Sequence, residues 1–252
     1  MIRQRRSIVV AVLVLGVLGG CATNHKLLAP AGSLQKGLGI VSDPTGQSIA
    51  AILSQQARPH LPTTLAVVKV GTGYYGGCYY GGTCSDTIGA EGLTQWKQAV
   101  VDIGTIDDVV VIPGMLLSTK ESTLADIRAA AASLDCELVL VYSQQDSEVS
   151  NFNNAAALYW TFVGLWLVPG SVIEHRTLME AALVDCRTGK VLALANGDGH
   201  LARIIPAAYA GIQKDKLRQE VPARAFEDLL TGCRKMFEEF DKTWSPASQP
   251  SE

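Results

Sequence analysis

Three short runs constrain this chain more than any other feature: Leu65–Val70 (LAVVKV), Val109–Ile112 (VVVI) and Glu137–Tyr142 (ELVLVY). Each is apolar at nearly every position rather than at every second one. A strand of that kind needs cover on both faces, which points to a parallel sheet with helices packed against it. The intervening segments supply those helices. Leu93, Trp96, Val100 and Val101 recur at helical spacing and predict a helix from about Gly92 to Ile103. Thr123 and Asp126 stand in capping-box positions ahead of an apolar face of Leu124, Ile127, Ala131 and Leu134. The order is therefore β-α-β-α-β, an α/β arrangement with a parallel core and right-handed crossovers.

The second half changes character. Asn151–Asn154 reads as a polar turn, followed by Ala155–Val168 (AAALYWTFVGLWLV), the most apolar segment after the amino-terminal leader. Val172–Val184 and Lys190–Leu194 read as an antiparallel hairpin closed by Asp185-Cys186-Arg187-Thr188-Gly189, with the glycine where a left-handed backbone is needed. Asn196-Gly197 reads as a turn before a short strand near Gly199–Ile204. Pro222 suits a first helical position, and Phe226, Leu229, Leu230, Cys233, Phe237 and Phe240 follow as the apolar stripe of a C-terminal amphipathic helix.

Residues 1–20 carry Arg3, Arg5 and Arg6, then an apolar run from Ile8 to Leu18, and no acid. That is the anatomy of a signal peptide, and the run is short for a bilayer-spanning helix. Leu18-Gly19-Gly20-Cys21 resembles the bacterial lipobox. The resemblance implies acylation and cleavage at Cys21, with Ala22 matching the pattern that permits export to the outer membrane. Two or three acyl chains anchor a protein stably where one is marginal. Residues 21–60 then form the lipidated terminus and a tether containing a short helix at Gln47–Ala57. Residues 61–243 form a single domain, and 244–252 a polar tail. Loss of three arginines leaves a more acidic remainder of a chain whose formal charge is already −3. No basic face is expected, which speaks against nucleic acid and against electrostatic binding to anionic lipid.

Export fixes how the cysteines are read. Cys78 and Cys84 share a glycine-rich stretch and are expected to pair in an oxidising compartment. Cys136, Cys186 and Cys233 remain an odd set, with Cys136 and Cys186 read as small buried hydrophobes at strand ends. No CxxC and no Cys/His cluster has metal spacing. Gly71-x-Gly73-x-x-Gly76 spells a dinucleotide fingerprint, but Gly76 runs into GCYYG rather than opening a helix. No cofactor is expected; the stretch reads as a tyrosine-studded loop, inert or an aromatic contact. His25, His60, His175 and His200 are scattered without a Gly-x-Ser-x-Gly elbow. Glu174, His175, Arg176 and Glu180 read as solvent-side charges of a strand.

The phrases Ala130–Val141 (AAASLDCELVLV) and Leu183–Val191 (LVDCRTGKV), in this element order, resemble the periplasmic α/β domains of curli-secretion-type lipoproteins and the TolB amino-terminal domain. The apolar insert before the hairpin resembles the rhombotarget lipoproteins. The likeness covers about residues 61–240 by topology and implies no catalytic residue.

The expected role is that of a lipid-anchored protein on the periplasmic face of the outer membrane, binding or assembling without catalysis. It would reach the membrane through its acyl chains and meet an envelope protein or a second copy of itself. Two rivals stand beside it: an oligomeric secretion-pore component and an envelope hydrolase. For Ala155–Val168 three readings remain open: a buried hairpin or helix capping the core, an element lying on the membrane or on a partner with Tyr159, Trp160, Phe162 and Trp166 as its contact residues, or part of a β-hairpin entering the outer membrane.

Overall fold

A computed structural model describes residues 59–72, 83–86, 88–117 and 123–244. The expected helix at Gln47–Ala57, the glycine-rich stretch from 73 to 82 and the polar tail from 245 onward lie outside them. Six strands form one mixed sheet: β1 (Thr63–Thr72), β2 (Thr83–Asp86), β3 (Ile106–Val111), β4 (Leu138–Phe152), β5 (Ser171–Asp185) and β6 (Val191–Ile205). The helices are α1 (Ala90–Val100), α2 (Leu124–Ser133), α3 (Phe162–Leu167) and α4 (Ala210–Trp244). The α/β class and the parallel core are as the sequence predicts. β1 pairs parallel with β4 in the register Leu65↔Leu138 to Val70↔Ser143, and its other edge pairs parallel with β3. Beyond the end of β3 that edge takes up β2, antiparallel, from Lys69↔Asp86 to Thr72↔Thr83. The chain beyond β4 continues the sheet through β5 to β6.

The described residues fall into two compact units. One holds the described part of the chain up to Gln145, with Thr177–Gly199 and the helix from Arg224 onward. Alternation along its strands fills two cores. Leu65, Val67, Leu138, Leu140, Ala181 and Leu183 face Trp96 and Val100 of α1 and Leu229, Cys233 and Phe237 of α4. Ala66, Val68, Val139, Val141, Ala182 and Val184 face Ile127, Ala130 and Ala131 of α2. Helices on both faces are why these strands have no polar side. The capping box forms: the Thr123 hydroxyl accepts from the Asp126 amide at 3.2 Å, and the Thr123 amide donates to Asp126 Oδ2 at 2.9 Å.

The two phrases that carry the resemblance meet in this unit. Glu137 accepts from the His60 amide at 2.6 Å and pairs with Arg187 at 2.7 Å, while Arg128 of α2 donates to the carbonyls of Cys186 and Arg187 at 2.8 and 2.6 Å. Burial opposes ionisation of Glu137, but the His60 amide, the Arg187 guanidinium and the His60 ring together bring its pKa down to about 2. Gly189 takes the left-handed conformation expected of it, with φ 76°. Cys136, Cys186 and Cys233 are buried free thiols, and burial raises the pKa of all three, Cys186 and Cys233 to about 12.

Three sequence readings need correction. β6 is one strand, not two strands around a turn at Asn196-Gly197. A Cβ on Gly197 would stand 2.3 Å from the Ala225 carbonyl oxygen and 2.4 Å from the Leu229 nitrogen, so this glycine serves the close approach of α4 rather than a turn. Pro222 lies inside α4, not at its start. The helical bond it cannot donate would have gone to Arg218, an exposed position where water can reach the carbonyl, while Leu217, Val221 and Ala225 keep the buried stripe running. His175 is buried, on the side of β5 that alternates with Glu174 and Arg176.

Candidate contact surface

The second unit comprises Asp146–Arg176 and His200–Ala223 among the described residues. Its core is small: Ile173, Leu217 and Val221, with Leu201, Ile205 and Ala210 packed against them. From Asn153 to Gly170 the chain leaves the sheet as a 3-10 turn, Asn154–Trp160, and the short helix α3. This segment contains no charge; nor does any residue from Val149 to Ile173.

Its polar groups are spent on holding the backbone. The Asn153 amide donates to the Gly170 carbonyl at 2.8 Å and closes the base of the excursion. The Asn153 side chain accepts from the Ala155 amide at 2.9 Å and donates to the Pro169 carbonyl at 3.0 Å. The Thr161 hydroxyl caps α3 by accepting from Gly164 at 2.9 Å and donates back to the Leu158 carbonyl at 2.8 Å. The Tyr159 hydroxyl accepts from the Gly170 amide at 2.7 Å and reaches the Ile205 carbonyl at 3.3 Å. Gly164 and Gly170 permit the tight fold: a Cβ at either would lie 2.0 Å from the Leu158 oxygen or 2.6 Å from the Ala156 nitrogen.

With the polar atoms turned inward, the apolar side chains point out. Trp160 is 86% exposed, Phe162 78%, Leu167 72% and Trp166 47%, with Leu158 and Val163 between them. Phe152, Ile204, Tyr209 and Ile212 are exposed in the same unit. The ring of Trp166 meets Tyr209 edge-on at 5.9 Å, and Phe162 lies 6.4 Å from Trp166. Of the four residues singled out from the sequence, Trp160, Phe162 and Trp166 form this knuckle. Tyr159 is half-buried and works as a strut beneath it, its ring edge-on to Phe152. Density of apolar residues pointed to the segment. Phe152 was missed because it stands alone in polar sequence, and Tyr209 and Ile212 because the mildly apolar run IIPAAYAGI carries no signal of exposure.

Beside the knuckle residues, this unit holds a charged cluster that the sequence did not signal. The buried His175 ring faces Asp146 at 3.6 Å and Glu148 at 4.0 Å, both too long for hydrogen bonds. Glu148 binds Lys214 and Arg218 at 3.0 Å each, and these cations keep its pKa low against the opposing effect of burial. His200 pairs with Glu174 at 2.7 Å. Each described histidine therefore faces a carboxylate, His60 through Glu137 in the other unit. Cys21 and Cys78 lie outside the described residues, and with them the expected acylation and the expected Cys78–Cys84 pairing.

No family model and no curated protein matches this chain. Among solved structures it is similar to a PelC dodecamer from Paraburkholderia phytofirmans, at 12% identity over 73% of this chain and 93% of that one, with a TM-score of 0.36. It is also similar to a minor lipoprotein from Acinetobacter baumannii, at 10% identity over 72% and 95% of the two chains, with a TM-score of 0.34. The C-terminal domain of LpoB from Salmonella enterica gives 13% identity over 55% and 82%, with a TM-score of 0.29. Lipoproteins are thus among the structures it resembles, but at these TM-scores the likenesses bear on neither mechanism nor partner.

Proposed function

We propose that this protein is a lipid-anchored component of the cell envelope, held at the periplasmic face of the outer membrane, with a non-catalytic binding or assembly role. Cys21 carries the acyl chains, and the knuckle built on Trp160, Phe162 and Trp166 is the binding element. One observation supports the reading above all: a charge-free aromatic cluster is presented to solvent on a segment that Asn153, Tyr159 and Thr161 hold in place by hydrogen bonds to its own backbone. Isolated exposed apolar residues are ordinary, but a contiguous group is characteristic of a contact surface.

Size makes the cluster consequential. Burying the exposed parts of Trp160 and Phe162 would release on the order of 8 kcal/mol of gross transfer energy, before the costs of association are subtracted. Tethering lowers those costs by confining the domain to a surface, so that contact becomes an event of high effective concentration.

The test is a photo-crosslinking amino acid placed at Phe162 in intact cells. Adducts with an envelope component are expected. Their complete absence, with the protein present and exported, would remove the contact role. In the same cells Cys21→Ser should abolish incorporation of a clickable fatty acid, and undiminished label would overturn the anchor.

A further inference from the structure

The occupant of the knuckle can be argued further, on the premise that the anchor and the contact role just proposed hold. We infer that Trp160, Phe162, Val163, Trp166 and Leu167 seat in the interfacial layer of the phospholipid bilayer to which the chain is tethered.

Charge is the first ground. A protein interface of ordinary composition surrounds its aromatic centre with polar and charged side chains, arginine prominent among them. Here 25 successive residues, Val149 to Ile173, carry none, and Asn154 is the one exposed polar side chain among residues 154–167. Placing ionised groups in a bilayer is costly, so a segment that enters one must lack them.

Hydrogen bonding is the second ground. Backbone groups taken out of water need partners within the protein. Caps from Asn153 and Thr161, the Gly170 amide on Tyr159 and the Val168 amide on the Gly164 carbonyl at 3.0 Å supply partners for part of the backbone at each end of the excursion, and a shallow interfacial seat leaves the remaining end groups of α3 within reach of water. Tryptophan also favours the interfacial depth at which its ring is apolar on one side and wet on the other. Among the described residues no helix is long and apolar enough to cross a membrane, so the knuckle would dip into one leaflet rather than span it.

The tether gives this contact a purpose. With the expected helix at Gln47–Ala57 the chain from Cys21 to Pro59 could reach about 110 Å, at 3.3–3.6 Å per extended residue and 1.5 Å per helical one. Acyl chains at Cys21 do not by themselves specify the height or orientation of a unit so far along the sequence. A second, shallow insertion on the folded domain fixes both, and the two attachments together hold more firmly than either.

The experiment uses the mature acylated chain in vesicles of phosphatidylethanolamine and phosphatidylglycerol, with and without brominated acyl chains that quench tryptophan on contact. Wild-type emission should fall in brominated vesicles. The fall should vanish in Trp160→Ser, Trp166→Ser, and it should be much reduced in Phe162→Ser, Leu167→Ser, which keeps both indoles. Equal emission from wild type in the two vesicle types would overturn the inference. If quenching is absent while the crosslinker at Phe162 captures a protein, the bilayer is the wrong occupant and the proposed function stands. If both are absent, both fall.

Discussion

Replacing Gly197 by alanine tests the packing that separates this fold from its sequence reading. The added methyl would lie 2.3 Å from the Ala225 oxygen, 2.4 Å from the Leu229 nitrogen and 2.8 Å from the Leu229 Cα. All three are backbone atoms of α4, so no side chain can rotate away. The helix must retreat by about 1 Å to restore ordinary contact, and Leu229, Cys233 and Phe237 would lose contacts with the sheet. Overpacking alone costs about 1–3 kcal/mol, and the loosened core adds to it. A total of roughly 2–4 kcal/mol lowers Tm by about 5–15 °C in a chain of this size. Thermal unfolding by circular dichroism, with a urea titration to check that the m-value is unchanged, measures it. If Gly197→Ala unfolds within about 0.5 kcal/mol of wild type, then α4 does not lie on β6 at this point and the turn reading at Asn196-Gly197 regains its footing.

Gly211, in the first turn of α4, has nothing within 4 Å of the position its Cβ would take. Gly211→Ala should therefore leave the fold intact and raise stability by up to about 1 kcal/mol in the same unfolding assay. Thr123→Ala removes the side-chain half of the capping box and should cost about 1 kcal/mol, read as a shift in the urea midpoint. Glu137 gives a pH signature. Its folded pKa of about 2 lies below the ordinary 4.5, so the stabilisation it contributes is complete above pH 4.5 and is lost as pH falls toward 2. Unfolding midpoints across that window should slope less in Glu137→Gln than in wild type, and an identical slope would show that Glu137 is not the group responsible.

Much of the first unit was legible because local and tertiary signals agree there. Leu65–Val70 and Leu138–Val141 are apolar at alternating and intervening positions alike, and the structure covers both faces. Thr123 and Asp126 act within one turn, so their spacing suffices. Where the deciding partner is distant in sequence, the signal failed. Asn196-Gly197 is a turn dipeptide by local chemistry and becomes strand because α4 passes over it. The outer part of β4, Ser143–Phe152, carries polar residues throughout and shows no strand pattern, yet it continues the strand. The four-residue β2 is equally silent. His175 looks like one of several strand charges, and only the alternation of β5 reveals which face it takes. The knuckle shows the limit most clearly. Its apolar density marks Ala155–Val168 as consequential, but density alone is the same for a core helix and for a contact surface. Exposure is decided by Asn153, Tyr159 and Thr161, whose side chains fold the segment back on its own backbone.

Thermal unfolding of the Trp160→Ser, Trp166→Ser double variant, made without its lipid, tests the contact-surface claim most directly. Truncating a buried aromatic residue costs about 3–5 kcal/mol, so two such losses in a core would collapse the fold. With Trp160 86% exposed and Trp166 about half-buried against Tyr209, the two truncations should cost about 2–3 kcal/mol together, a fall in Tm of no more than about 10 °C with the cooperative transition kept. The acylated form of the same variant should lose capture at the knuckle. Collapse of the fold in the double variant would contradict the account, because the segment would then be core and the contact role would have no residues to carry it.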